Sequence, residues 1–495
     1  MTTPRIRPIP LYTAAQVRAI DACATGRFGI AAEVLMQRAA QAAFDVVRRR
    51  WPAARRLTLL AGGGNNGGDA LLLGVLARTA GLEVDAVVCG EARGREAVRA
   101  RLAFVAAGGR VLDAGSPLPP GDVVVDGLFG SGLSRPIEGA AATLVGDVAG
   151  LHRPVLALDL PSGLDPDRGI ARGPCIRADA TVCFVAWKRG LFTADGPDAC
   201  GTLELAMLDV PPEAYGEQPT QVELMQADTD ALPAPRPRNS DKSRFGHVLA
   251  IGGDAGMAGA IRMTGEASLR CGAGLVSIAT RGAHLAAINA ARPELMAHAV
   301  EHVDDLVPLL ARATVVAIGP GLGRGDWGRA LLDAALASGK PLVLDADALN
   351  LLAANPRVLP PDCVLTPHPG EAARLLACDV AAVQGERFAA AGELARRHGA
   401  IVVLKGAGSL VAAPEGRIAV CPWGNPGMAS GGMGDLLTGV IAALRAQHLS
   451  AWDAACTGVA LHARAGDAAA QRGGRGMIAS DLLSPLRRLV NGADA

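Results

Sequence analysis

The stretch "RLTLLAGGGNNGGDALLLGVL", residues 56–76, decides the fold. A short apolar run breaks into five glycines, two asparagines and an aspartate, and a helical-looking apolar segment follows. A plain turn needs one or two glycines. Five imply a backbone shaped around something, because glycine reaches dihedrals closed to other residues and leaves room for close contact. The candidates are a phosphate, a metal ion, or both.

The same pattern recurs outward from this point. "EVDAVVCG", "DVVVDGLFG" and "PVLALDLPSG" are short apolar runs that end in glycine or aspartate, separated by stretches such as "GREAVRARLAFVAAGG". Such alternation predicts a parallel sheet covered by helices on both faces. "HVLAIGG", "LVSIAT", "ATVVAIGPG", "PLVLDAD", "CVLTPHPGE" and "AIVVLKGAG" repeat it further on, with no residue-by-residue repeat between the halves. A chain of 495 residues is also long for one core. The expectation is two different α/β domains. Their seam lies in the proline-rich, aperiodic stretch containing "PPEAYGEQPTQ" and "DALPAPRPRNSDKSRFG". This gives domains at 1–215 and 244–488, with 216–243 as linker or irregular crossover. Residues 12–47 read as two helices broken near Gly26 and Gly29, which pack on the sheet or form a subunit interface, so a homo-oligomer stays open.

Composition narrows the partners. With 48 basic and 48 acidic residues, net charge gives no argument for nucleic acid or an anionic membrane. "RRRWPAARR" at 48–56 reads as a solvated helix end and loop. Ten cysteines without a C-x-x-C pair read as buried apolar residues of a reduced compartment. No sustained apolar stretch marks a signal peptide or a membrane span, so a cytoplasmic protein is expected.

Ligands of open α/β sheets bind beyond the carboxyl ends of the strands. Three polar clusters sit there in the first half: Asn65 to Asp69, "DGLFGSGLSRP" from Asp126 to Pro136, and "DLPSG" from Asp159 to Gly163. An isolated aspartate after a strand is usually a turn or cap. Three clusters converging on one crevice point to a site. The first is neither a dinucleotide fingerprint nor a Walker loop, yet its amides could hold phosphate, especially if Asp69 starts a helix. The asparagines would suit a weakly bound hard cation together with Asp126 and a backbone carbonyl. Asp159, at a strand end before a tight turn, is the best general acid/base candidate, and Lys188 is a second polar candidate.

Together with "WKRG" at Trp187, these clusters resemble the amino-terminal domain of the bifunctional NAD(P)H-hydrate repair enzymes. The resemblance implies a Rossmann-like domain that epimerises the hydrated cofactor at ring carbon C6. It implies a potassium ion near Asn66, Asp126 and Ser162. The damaged cofactor would lie against Asn65, Asn66, Gly67, Gly68, Asp69, Gly130, Ser131, Gly132, Leu133, Ser134, Arg135, Pro136 and Asp159. Two departures stand out: Ala70 replaces a common glycine, and "LMQRAA" replaces a stretch that more often carries an acid and a final glycine.

"GNPGMASGGMGDLLTGVIAAL", residues 424–444, is the most specific stretch of all. A glycine-rich turn leads into Asp435 and an apolar helix, whose first amides and dipole can cradle phosphate. Asp435 would lie beside a phosphoryl acceptor as a base for its hydroxyl. The pattern resembles the ribokinase-like superfamily. Within it, "GGDAGMAGA", "GPGLG", "DADAL", "TPHPGE" and "LKGAGS" are similar to the ADP-dependent dehydratase domain of the same repair enzymes. By that resemblance Lys405, Gly406, Ala407, Gly408, Ser409 and Gly434 hold the adenylate part of ADP, and Ala260, Gly321, His368 and Asp435 contact the hydrated cofactor. Met433 and Ser409 stand where threonine is common.

The implied chemistry is phosphoryl transfer from ADP to the C6 hydroxyl, then loss of phosphate driven by ring nitrogen N1, with magnesium as a plausible companion of the nucleotide. The substrates would be hydrated NADH or NADPH, and ADP. The competing reading is a ribokinase-like small-molecule kinase fused to a non-catalytic Rossmann-like scaffold. Retention of Asn66, Asp126, Asp159 and Ser162 together argues against it.

Overall fold

In the computed structural model, which describes residues 9–133, 135–226 and 232–492, the chain forms two compact units that divide at Val222/Glu223. Eighteen strands occur among the described residues, beginning with the two-residue β1 (Ile9–Pro10). The first unit is built on β2 (Arg56–Gly62), β3 (Glu83–Cys89), β4 (Arg110–Asp113), β5 (Val123–Gly127), β6 (Val155–Leu158), β7 (Ala180–Phe184) and β8 (Thr202–Ala206). They form one parallel sheet in the order β4-β3-β2-β5-β6-β7-β8. The chain builds outward from β2 to β4, then returns to the other side of β2 at β5. Such a reversal opens a crevice at the strand ends. Register puts Leu60 opposite Asp126 and Ala61 opposite Gly127, so the glycine cluster and Asp126 both border it.

Alternation along β2 fills two cores. Leu57, Leu59 and Ala61 pack with Val17, Ile20, Met36 and Phe44 on one face, while Leu60 packs with Val124, Leu144 and Val145 on the other. Both faces are buried, so the strand reads as a continuous apolar run. Truncating Leu59 to alanine would cost roughly 2–5 kcal/mol by the usual cavity penalty. The two early helices span Ala14–Gly26, opened by a Thr13/Gln16 capping box, and Ala32–Arg50. Arg48, Arg49 and Arg50 are exposed in the last turn of the second, a solvated helix end.

After β9 (Val222–Leu224), the second unit contributes β10 (His247–Ile251), β11 (Leu275–Thr280), β12 (Met296–Ala299), β13 (Val315–Ile318), β14 (Leu342–Leu344), β15 (Cys363–Leu365), β16 (Ile401–Leu404), β17 (Leu410–Ala412) and β18 (Ile418–Val420). The sheet order is β1-β9-β18-β17-β16-β15-β14-β13-β10-β11-β12. From β12 to β16 the pairing is parallel. It turns antiparallel at β16–β17 and β17–β18, a departure from the all-parallel expectation. The reason is connection length: five residues separate β16 from β17, too few for a crossover helix. No helix of the described residues is long and apolar enough to cross a membrane.

Candidate functional sites

In the first unit, the helix Asn65–Thr79 begins directly after the glycine turn, with Gly64 as its N-cap. Four of the five glycines are there for close approach, three of them to backbone carbonyls and Gly68 to the Met36 side chain. An added Cβ would lie 1.9 Å from the Leu128 carbonyl at Gly62, 2.3 Å from the Glu91 carbonyl at Gly63, 1.9 Å from the Gly62 carbonyl at Gly67, and 2.9 Å from Met36 Cε at Gly68. Only at Gly64 is there open space. None of the five has a positive φ. Close approach, and not unusual dihedrals, explains the run.

Asn66 and Asp159 meet behind Gly130, where a Cβ would come 3.1 Å from Asp159 Oδ2 and 3.3 Å from Asn66 Cγ. The Asn66 Nδ2 group donates to the Leu158 carbonyl (3.1 Å), whereas its Oδ1 is buried with no hydrogen-bond partner among the described residues. Asp126 and Ser162 are fully buried together. Ser162 donates its amide to Asp126 Oδ2 (2.8 Å) and its hydroxyl to Asp126 Oδ1 (2.7 Å), and its Oγ accepts from the Phe129 amide (2.9 Å). Burial pushes the Asp126 carboxyl up to about 6, against those hydrogen bonds.

Asp159 is buried at the end of β6 with φ +68°. A non-glycine residue in the left-handed region is uncommon, and such outliers cluster at sites where the surroundings over-determine the backbone. Its carboxylate accepts from the Ser131 amide (3.0 Å) and from the buried Lys188 ammonium, which also donates to the Phe184 carbonyl (2.8 Å). Burial works against the Lys188 charge, yet the adjacent Asp159 raises its pKa overall. Val185, just before this lysine, is a second strained residue at φ +65°.

Two further acids couple to the pair. Asp69 is pushed well up by burial and by Asp159 and Asp21. Asp21, on the first helix, is pushed up to about 6 by burial, with Lys188 opposing and Asp159 adding. Arg18 of the same helix donates to the Ser131 carbonyl (3.1 Å). The loop that follows leaves Gly132, Arg135 and Pro136 exposed, with Leu133 half-buried; Ser134 lies outside the described residues.

In the second unit, the helix Met433–Ala446 starts from Gly432 at φ +89°, and Asp435 lies in its first turn. A Cβ on Gly434 would come 3.2 Å from Lys405 Nζ and 3.4 Å from Asp345 Oδ2, so that glycine admits a charge network beside the helix start. Lys405 Nζ donates to Asp345 Oδ1 (2.7 Å) and lies 3.9 Å from Glu371. Thr438 donates to Asp345 Oδ2 (2.9 Å). Burial raises the Asp435 carboxyl to about 6, Asp345 adding and Lys405 opposing. Glu371 is raised to about 7, chiefly by burial.

His368 caps the helix Pro369–Leu376: its Nδ1 accepts from the Gly370 amide (2.9 Å), and its Nε2 faces Glu371 Oε1 at 3.2 Å. Both ring nitrogens are thereby engaged, which favours orienting over proton transfer. Gly321 abuts Ala260, 3.4 Å from Cβ to Cβ if it carried one. Thr264 ties that region to the helix start by donating to the carbonyls of Ala260 (3.3 Å) and Asp435 (3.0 Å). Lys405 to Ser409 leave the end of β16, with Gly406 at φ +133° and Gly408 at +60°.

Family models match both units: YjeF-related protein N-terminus over residues 32–190, and NAD(P)H-hydrate dehydratase over 248–488. The bifunctional NAD(P)H-hydrate repair enzyme Nnr of Coxiella burnetii is 44% identical over 97% of this chain and 99% of its own length. The chain belongs to the bifunctional NAD(P)H-hydrate repair enzymes. The Escherichia coli member is 42% identical over 98% of this chain and 94% of its own. A ribokinase-like superfamily protein from Enterococcus faecalis superposes with a TM-score of 0.51 at 28% identity, covering 56% of this chain and 98% of that one. Among members of this family, the departures noted in the sequence have physical homes here. Ala70 is fully buried inside its helix, and its methyl faces Gly127 at the end of β5. Met433 is buried in the core beside Leu436 and Leu437. Ser409 donates its hydroxyl to the Gly406 carbonyl (3.0 Å).

Proposed function

We propose that this chain repairs hydrated nicotinamide cofactors. Its first unit interconverts the R and S forms of NAD(P)H hydrate at C6. Its second dehydrates the S form, converting ADP to AMP and phosphate. Near-full-length similarity to enzymes so named carries the reading. The two sites, with Asp159 buried after a strand and Asp435 in the first turn of a helix, supply the chemistry.

C6 of the hydrate carries both a hydroxyl and ring nitrogen N1. Inverting it, by expelling the hydroxyl or by opening the N1–C6 bond, moves a proton on or off that oxygen. Asp159 is the group for this, held by Lys188 and the Ser131 amide. Asn66, Asp126 and Ser162 are proposed to hold a potassium ion. The observation that fits is the buried Asn66 Oδ1 without a hydrogen-bond donor, a neutral oxygen suited to a weakly bound cation. Such an ion would supply fixed positive charge beside the substrate.

In the second unit Asp435 takes the C6 hydroxyl proton as the oxygen receives the terminal phosphoryl group of ADP. The P–O bond to AMP breaks. Phosphate then leaves C6 with its bonding electrons, the N1 lone pair forms a C=N bond, and loss of a C5 proton gives NAD(P)H. A base with a pKa of about 6 is largely ionised at neutral pH yet still able to take a proton. Gly434 and the loop Lys405–Ser409 are proposed to hold the nucleotide, with Ala260, Gly321 and His368 against the hydrate. Magnesium accompanying ADP would neutralise phosphate charge.

The test is omission of ADP from the full-length protein. Dehydration of the S form is expected to stop while R and S continue to interconvert. Interconversion that also requires ADP would overturn the division of labour.

A further inference from the structure

Beneath the Lys405–Ser409 loop lies Arg387, the first residue of the helix Arg387–His398, only 1% exposed. Its Nη1 donates to Gln384 Oε1 (2.7 Å). The two Nη groups together reach the carbonyls of Leu404 (3.4 Å), Lys405 (3.4 and 3.3 Å) and Gly408 (3.4 Å). A Cβ on Gly406 would come 3.0 Å from Nη1, so the loop closes directly onto the guanidinium. Burial drags the group down to about 10, and it stays charged at neutral pH.

A trans peptide points its carbonyl and its N–H in opposite directions. With the Lys405 and Gly408 carbonyls turned down to Arg387, the amides of Gly406 and Ser409 are turned away from it, and neither donates to a described residue. The amide of Lys405 is already bound to the Pro367 carbonyl (2.9 Å). One fork therefore fixes the direction of two donors at opposite ends of a five-residue loop. Lysine could not do this, since an ammonium on a flexible stem is a point charge without the planar spread. An apolar residue of similar volume would fill the space but take the fork away from those carbonyls.

We propose that Arg387 is a positioning residue for the nucleotide. It holds the loop carbonyls inward so that the Gly406 and Ser409 amides present donors to ADP, and it places a fixed positive charge under the polyanion. This rests on the assignment of the Lys405–Ser409 loop to nucleotide.

The experiment compares Arg387→Lys and Arg387→Met in the full chain, measuring ADP affinity by calorimetry, turnover of the S hydrate across ADP concentrations, and thermal melting. Arg387→Met, which keeps volume and loses charge and fork, is expected to weaken ADP about tenfold or more, the scale of a lost charged hydrogen-bond set. Arg387→Lys, which keeps charge, is expected to weaken it about threefold. In both, turnover at saturating ADP stays close to wild type, and epimerisation by the other unit is unchanged. A merely structural role would lower the melting temperature and leave the ADP KM alone. A folded Arg387→Met with wild-type ADP affinity overturns the proposal. If that variant does not fold, a wild-type ADP KM in Arg387→Lys overturns it. Failure of the wild-type protein to bind ADP would instead sink the nucleotide reading of the loop.

Discussion

The first unit sets a carboxylate at a strand end and the second sets one in the first turn of a helix, and they manage its charge in opposite ways. Asp159 is gripped directly: a lysine ammonium, a backbone amide and its own left-handed backbone conformation fix where it points. Among the described residues Asp435 has no such grip. The nearby lysine is bound to a different acid, Asp345, whose charge raises Asp435 while Lys405 offsets part of the effect. The first arrangement fixes geometry. The second tunes basicity, which suits a group that must take a hydroxyl proton at neutral pH.

The sharpest way to break this comparison is to neutralise each acid in turn. Asp435→Asn keeps shape and much of the capping ability while losing basicity. It is expected to fold, to bind ADP, and to lose about 10²–10⁴-fold in dehydration turnover with epimerisation unchanged. Asp159→Asn is expected to do the converse, stopping interconversion and sparing turnover of the S form. Parallel assays on pure epimers measure both. A folded Asp435→Asn protein with near-full turnover would leave that residue a cap and nothing more.

Removing the grip is the next largest effect. Lys188 is 1% exposed and Asp159 is 8% exposed, so Lys188→Met leaves a carboxylate buried without its counter-ion. Breaking a buried pair from one side costs roughly 3–5 kcal/mol. Denaturant unfolding of the full chain should show that loss in the first unit's transition, together with weakened epimerisation. At Asp435 the prediction concerns pH. A carboxylate acting as base loses activity as pH falls through its pKa, so the acid limb of dehydration should lie near the value of about 6 for Asp435. Asp345→Asn deletes the like charge that raises it and frees Lys405 to lower it further. Both effects have one sign. The limb should move to lower pH, and a limb that stays in place would show that Asp345 does not tune the base.

Much of this architecture was legible in the sequence, because buried parallel strands leave continuous apolar runs that stop at glycine or aspartate. β2, β3, β5 and β6 are all of that kind. β4 (RVLD) and β12 (MAHA) are not, being short, at sheet edges and half exposed, so no run marks them. The residues at the strand ends were visible for the same reason as the strands. Those reaching in from elsewhere were not. Asp21 lies on a helix among the core positions Val17, Ile20 and Ala24, and a lone acid there is its only signal. Asp345 and Glu371 sit inside "DADAL" and "TPHPGE", but they meet Lys405 from the end of β14 and from the helix Pro369–Leu376, which only the fold brings together. Arg387 opens a helix 18 residues before the carbonyl of Lys405 that it holds, and nothing in the spacing says so.

The smallest expected effect on stability falls on Gly64, which makes it the cleanest probe of the glycine run. Gly62, Gly63, Gly67 and Gly68 would each force backbone or a packed side chain aside if given a Cβ. Gly64 would not, since nothing lies within 4 Å of that position and its backbone, at φ −97°, ψ −169°, is extended conformation open to any residue. Gly64→Ala should therefore cost only the difference between glycine and alanine at an N-cap, about 0.5–1 kcal/mol. The packing argument then leaves two reasons for its lack of a side chain: its place as the helix N-cap, and a ligand that approaches the start of the Asn65–Thr79 helix. Gly64→Ala is expected to raise the KM for the hydrate in epimerisation several-fold while kcat and dehydration stay as they were and the melting temperature falls only slightly. Equal KM values for the variant and the wild type would leave all five glycines explained by the fold, and the contact between this turn and the cofactor would lose its support.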